Sequence, residues 1–151
     1  MIVKRTVAAA AVRFAFNKTG GEKMTIQNVI DRVRLIKTGC VIDDIKLIED
    51  INRVENYIIR DIVSGRTGDD VTAGYGNYDE ETPRDRELLA PPPYDTVYID
   101  YCCAQIDREY EDGERYVNSM AAYNNGITQL KKWWWQNHRQ KKLYRFYERG
   151  Y

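Results

Sequence analysis

The chain has 151 residues, with 23 lysines and arginines against 23 aspartates and glutamates, so its formal charge is zero. That length suits one domain with a modest core, and the neutral balance excludes both a uniformly basic nucleic-acid coat and an acidic solvating chain. Locally the balance breaks: from Lys131 to Arg149 seven cations stand against Glu148 alone, whereas residues 69–87 carry seven carboxylates against Arg84 and Arg86.

At the N-terminus, Lys4 and Arg5 precede an apolar run from Val7 to Val12 in the manner of a secretory signal, but Arg13 interrupts it and no small-residue cleavage site follows a proper hydrophobic region. No stretch approaches the twenty or so apolar residues of a membrane span. Gly20, Gly21, Glu22 and Lys23 stand directly before Met24 and can be encoded by a purine-rich ribosome-binding sequence. The expectation is that translation starts at Met24 and that residues 1–23 are an extension upstream of it; the other reading is a basic N-terminal arm. The cysteines, Cys40 and the adjacent Cys102 and Cys103, do not make the even, spaced set of a secreted disulfide framework, which points to a reducing compartment. Neighbouring helical residues point about 100° apart, so the pair reads as core rather than as ligands of one metal.

From Met24 the pattern is helical. Thr25 is placed as an N-cap, and Ile26, Val29, Ile30, Val33 and Ile36 recur at three- and four-residue spacing until Gly39. A second helix starts near Asp43, whose carboxylate can cap free N–H groups, and carries Leu47, Ile51, Val54, Ile58 and Ile62 to a stop at Gly65. Residues 66–93 hold four of the chain's glycines and prolines in Gly68, Gly74, Gly76 and Pro83 before the run Pro91, Pro92, Pro93, and read as a long irregular loop suited to partner contact. Within it, Val71, Tyr75 and Tyr78 suit a short hairpin.

Pro93 is expected in the first turn of a third helix over residues 94–110. Its apolar residues cover most of its circumference, so it should be buried on more than one side. Glu111, Asp112 and Gly113 mark a break, after which Tyr116, Met120, Tyr123, Ile127, Leu130 and Trp134 form a heptad-like seam for an antiparallel neighbour. Gly126 weakens this fourth helix by about 1 kcal/mol relative to alanine. The fold class is therefore all-α, a small bundle of about four helices: an extension over residues 1–23, a helical domain over 24–138 and a basic aromatic tail over 139–151.

Catalytic groupings are missing from this pattern. His138 is the single histidine, so one chain offers neither a His-paired nucleophile nor a multi-histidine metal site, and it reads as a solvated residue near a helix end. Gly74-Tyr75-Gly76 lacks the later glycine and lysine of a phosphate loop. Asp95, Asp100, Asp107 and Glu109 read as solvent-facing or interface charges. No enzyme activity, cofactor or metal is expected. Trp133, Trp134 and Trp135, flanked by Lys131, Lys132 and Arg139, offer either base stacking with phosphate neutralisation or an interface anchor, and protein contact is favoured. Since consecutive helical residues diverge, at least one indole should lie near the surface.

Tyr98 onward, reading YIDYCCAQIDREYEDGERYVNSMAAYNN, with ELLAP before it and KKWWWQNH after it, resembles the head-tail connector (adaptor) proteins of tailed bacteriophages infecting Gram-positive bacteria. The resemblance spans roughly residues 24–138; Cys102 and Cys103 depart from it where larger aliphatics are commoner, and the tail beyond His138 lies outside it. It implies a non-enzymatic virion protein, assembled in the bacterial cytoplasm and located at the head-tail interface. There it would form a ring with copies of itself beneath the portal protein, extend the DNA channel and receive a stopper or tail-completion protein. Tyr98, Tyr101, Tyr116, Trp133, Trp134, Trp135, Arg139, Lys141, Lys142, Arg145 and Tyr147 are the candidate portal or neighbour contacts. The rival readings are a DNA-binding accessory protein of packaging or head completion, using Lys131 to Arg149 on phosphates, and a small hydrolase whose site is completed by a second chain and depends on Asp100 or Asp107.

Overall fold

In the computed structural model of this chain, residues 21–141 are described. They form a small helical bundle of α1 (Ile26–Ile36), α2 (Asp44–Tyr57), α3 (Thr96–Glu109) and α4 (Gly113–Asn137), with no sheet among the described residues. Gly21 to Lys23 belong to the described chain, and an added Cβ at Gly21 would stand 3.2 Å from Pro92.

Helix α1 begins as its sequence directs. The first N–H groups of a helix have no partner within it. Asn28 N–H donates to Thr25 Oγ1 at 3.2 Å, while Ile26 and Gln27 donate to the carbonyls of Arg86 and Arg84 at 3.1 and 2.9 Å. The loop thus caps the helix jointly with Thr25. Ile26, Val29, Ile30 and Val33 are buried, each worth about 1.5–3 kcal/mol against exposure. Ile36, expected on this stripe, is instead 58 % exposed, because the stripe turns away from the core in the last turn.

Asp43 is the N-cap of α2, but its side chain makes no capping hydrogen bond. Leu47, Ile51 and Val54 are buried, and the helix continues into a π-helical segment, Ile58–Val63, closed by Ser64 N–H to Ile59 O at 2.9 Å. The wider turn brings Val63 inward beside Ile62. Gly65 ends the segment at φ +77°, a left-handed conformation that a side chain disfavours.

The loop folds back over α2 as a strap. The expected hairpin is absent: Val71 lies in a 3₁₀ turn, Asp69–Thr72, and Tyr78 pairs with a side chain instead of a strand. Asn52 Nδ2 donates to Tyr78 O and Tyr78 N–H donates to Asn52 Oδ1, both at 2.8 Å, and Asn56 Nδ2 donates to Gly76 O at 2.9 Å. Further on, Leu88 N–H donates to Met24 O at 2.9 Å, and Leu88, Leu89 and Ala90 are buried.

Helix α3 starts at Thr96 with Asp95 as N-cap, so Pro93 sits in the preceding turn rather than in the helix. It is the central element, packed on α1, α2 and α4. Its burial on several sides is met within one chain. Glu111 at φ +56° and Asp112, whose carboxylate accepts from Arg115 N–H, reverse the chain into α4. Along the α4 seam Tyr123, Ile127, Leu130 and Trp134 are buried, while Tyr116 and Met120 are half-buried. Gly126 has a positive role there: an added Cβ would stand 2.7 Å from Val97 Cγ1, so the missing side chain sets how closely α3 and α4 approach. Cys102 and Cys103 are buried and unpaired in a disulfide.

Candidate interaction surfaces

The three tryptophans diverge as helical geometry requires. Trp134 is fully buried and stacks on His138, with ring centroids 3.9 Å apart and planes at 11°. Trp133 is half-buried, 5.6 Å from the Tyr94 ring. Trp135 is the exposed one at 40 %, yet it is engaged: its Nε1–H donates to Ile62 O at 3.0 Å, and Arg66 and Lys131 lie over its ring at 4.3 and 4.5 Å. Cations on an indole face are favourable and cover the ring on which a base would stack.

Two helix ends cap each other here. The last carbonyls of a helix lack internal partners; Trp135 supplies a donor to Ile62 O, and Arg66 Nη1 donates back to Trp135 O at 3.4 Å and His138 O at 3.2 Å. Residues 139–141 then run beside residues 65–67 through Thr67 N–H to Arg139 O and Lys141 N–H to Gly65 O, both 2.9 Å. Lys141 forms an ion pair with Asp69, so the acidic loop and basic tail meet within one chain. His138 is half-buried, with Nδ1 2.9 Å from Trp134 O, and is part of this clasp instead of a solvated end residue.

The candidate contacts therefore divide. Tyr98 is fully buried, as is Trp134, and both belong to the core. Tyr101 is half-buried against Tyr123 at 5.1 Å, and Tyr116 is half-buried on α4. Arg139 and Lys141 are exposed. Lys142, Arg145 and Tyr147 lie outside the described residues.

A buried polar cluster escaped the sequence reading. Glu55 on α2 is wholly inaccessible; its Oε1 accepts from Leu89 N–H at 2.8 Å and from Tyr98 O–H at 2.6 Å, and Tyr98 Oη accepts from Ala90 N–H at 2.9 Å. Oε2 is buried with no hydrogen-bond partner among the described residues. Burial pushes the Glu55 carboxyl up to about 7, opposed by its hydrogen bonds with Tyr98 and Leu89 and by the charges of Lys23 and Arg86. Burial likewise lowers the Lys23 amine and raises the Tyr98 phenol. The cluster ties loop residues 88–90 to α2 and α3. The sequence signal was the row Asn52, Glu55, Asn56 beside the apolar ridge of α2.

Carboxylates expected at the surface are partly interior as well. Asp107 is 3 % exposed, paired with Lys37 and accepting from Ser119 Oγ at 3.1 Å, and Asp95 is 8 % exposed. Asp100 is half-buried and Glu109 is exposed in an ion pair with Lys46.

Exposed apolar side chains gather at the opposite end from the tryptophans. Lys37–Asp107 and Lys46–Glu109 join the C-terminus of α1, the N-terminus of α2 and the C-terminus of α3 into one end. Leu35, Ile36, Val41, Ile45, Tyr110 and Val117 are all exposed there.

Among the described residues no cluster of histidine, cysteine and carboxylate side chains could hold a metal ion, and no helix is long and apolar enough to cross a membrane. Comparison with protein-family models, with curated proteins and with solved structures returns no match to this chain.

Proposed function

We propose that this chain is a structural protein of a tailed-phage virion, a ring-forming adaptor that joins the portal of the DNA-filled head to the tail. The sequence resemblance over residues 24–138 brings the reading to this family. The observation that carries it is the polarity of the bundle. One end exposes Leu35, Ile36, Val41 and Ile45, and the other presents Trp135, Arg139 and Lys141 on a clasped, basic edge. A ring of identical copies needs two unlike, complementary ends on each copy, and the reciprocal caps at Arg66 and Trp135 hold the basic end in shape. The partners are the portal protein, neighbouring copies, a stopper or tail-completion protein, and the DNA in the channel.

The DNA-accessory alternative draws less support, because Arg66 and Lys131 already cover the most exposed indole. The test is electron microscopy of particles made when a stop codon follows Met24 in the phage gene. Separate heads and finished tails are the expected outcome. Normally joined particles would overturn the adaptor reading; joined particles with DNA-poor heads would favour the packaging role.

A further inference from the structure

We infer that the apolar end of the bundle is a docking surface for the C-terminal tail of a second copy of this chain. The surface is exposed to an unusual degree for such residues: Val41 is 90 % accessible, Leu35 77 % and Val117 63 %. Single exposed apolar residues are ordinary, but six at one end mark an interaction site. With the exception of Trp135, every large exposed hydrophobic residue among those described lies there.

The tail has the matching chemistry. Residues 142–151 read KLYRFYERGY and lie outside the described residues; Leu143, Tyr144 and Phe146 are apolar, with Lys142 and Arg145 interleaved. The apolar end keeps a small acidic surplus: Arg34 and Arg84 share Asp44, and Lys37, Lys46 and Arg115 are paired with Asp107, Glu109 and Asp112. Asp43, Glu111 and Glu114 remain there without an ion pair among the described residues, against Arg108 alone. Opposite charge around an apolar contact fixes orientation and speeds encounter.

Reach makes the contact intermolecular. Lys141 N–H is bonded to Gly65 O at the far end of α2, and the eighteen steps from Ile45 to Val63 at about 1.5 Å each separate the two ends by about 27 Å. Even fully extended, the five steps from Lys141 to Phe146 cover at most about 18 Å. The chain's own tail therefore cannot seat Leu143, Tyr144 and Phe146 on its own apolar end, whereas a neighbour's can. Such a head-to-tail contact is heterologous and generates a ring when its rotation closes. The inference rests on the ring-forming part of the proposed function and not on portal binding.

The test uses the full-length purified chain in sedimentation velocity, with two variants. One carries Val41→Asp and Ile45→Asp, both at exposed positions; the other carries Leu143→Ser and Phe146→Ser. The wild-type chain is expected to self-associate, each variant to remain monomeric at tenfold higher concentration, and the two variants mixed to form a dimer that goes no further, since each supplies the half that the other lacks. A monomeric wild type, or a tail variant that assembles like the wild type, or a mixture that stays monomeric, would overturn the inference. The second of these leaves ring formation intact through another surface, and the particle experiment above reads the adaptor role separately.

Discussion

Glu55 and Tyr98, one from α2 and one from α3, share a 2.6 Å hydrogen bond inside the core, and the backbone of residues 89 and 90 is bonded to the same two side chains. A long loop is thereby held by an ionisable group with no access to water. Folding and proton binding are linked at this position.

The linkage has a definite sign. The Glu55 carboxyl titrates at about 7 when folded, against an ordinary 4.5, so the folded state binds the proton more tightly than the unfolded one. Its contribution is fully present below pH 4.5 and is lost as pH rises through 7, a difference of about 3 kcal/mol. Asp50, raised by burial to about 6, acts in the same direction over a lower window. Urea unfolding at pH 5 and pH 8 should therefore find the protein less stable at pH 8, and Glu55→Gln should flatten most of that slope. Equal slopes in the two proteins would remove the assignment to Glu55.

Tyr98→Phe keeps the ring in place but takes away the donor to Glu55 and the acceptor for Ala90 N–H. A buried amide left without a partner costs about 1–3 kcal/mol, so the variant should unfold earlier. The hydrogen bond from Tyr98 also holds the Glu55 carboxyl down, so its loss should move the pH dependence toward higher pH. Amide exchange at Leu89 and Ala90 should quicken while that of α1 residues 30–33 does not. Unchanged exchange at 89 and 90 would count against the strap being held here.

Gly126→Ala tests whether α3 and α4 approach as closely as Val97 indicates. Propensity alone favours alanine by about 1 kcal/mol, but a Cβ at 2.7 Å from Val97 Cγ1 must displace a stiff β-branched side chain. Overpacking costs about 1–3 kcal/mol, so the net effect should be destabilising. Adding Val97→Ala should recover part of the loss, giving a non-additive double-mutant cycle. Additive effects, or a stabilised single variant, would mean that the helices can move apart freely.

Arg66→Ala strips two carbonyls at the end of α4 of their donor and uncovers the Trp135 ring. The expected cost is about 1–2 kcal/mol, with faster amide exchange confined to the last turn of α4 and residues 65–67. Acrylamide should quench the tryptophan emission more strongly than in the wild type. Quenching that does not change would show that Arg66 does not shield the indole.

Four helices and most of the core follow from local patterns in the chain, because apolar spacing and a capping threonine act within a few residues of one another. Ile26, Val29, Ile30 and Val33 on α1, and Tyr123, Ile127, Leu130 and Trp134 on α4, are buried as their period requires. The break at Glu111 to Gly113 was legible for the same local reason. The divergence of the three tryptophans follows from helix geometry and also needed no tertiary information.

Where polar groups find partners, by contrast, is settled by contacts between distant parts of the chain. Burial of Glu55 and Asp107 depends on residues 34 to 70 positions away, Leu89, Tyr98 and Lys37, and no periodicity records such a meeting. The hairpin expectation failed because Asn52 supplied the hydrogen bonds that a paired strand would have made. Gly126 looked like a weakness in a helix until Val97 was found across from it. The apolar circumference of α3 called for burial on more than one side, and the placement of α1, α2 and α4 around it is what supplies that burial within one chain.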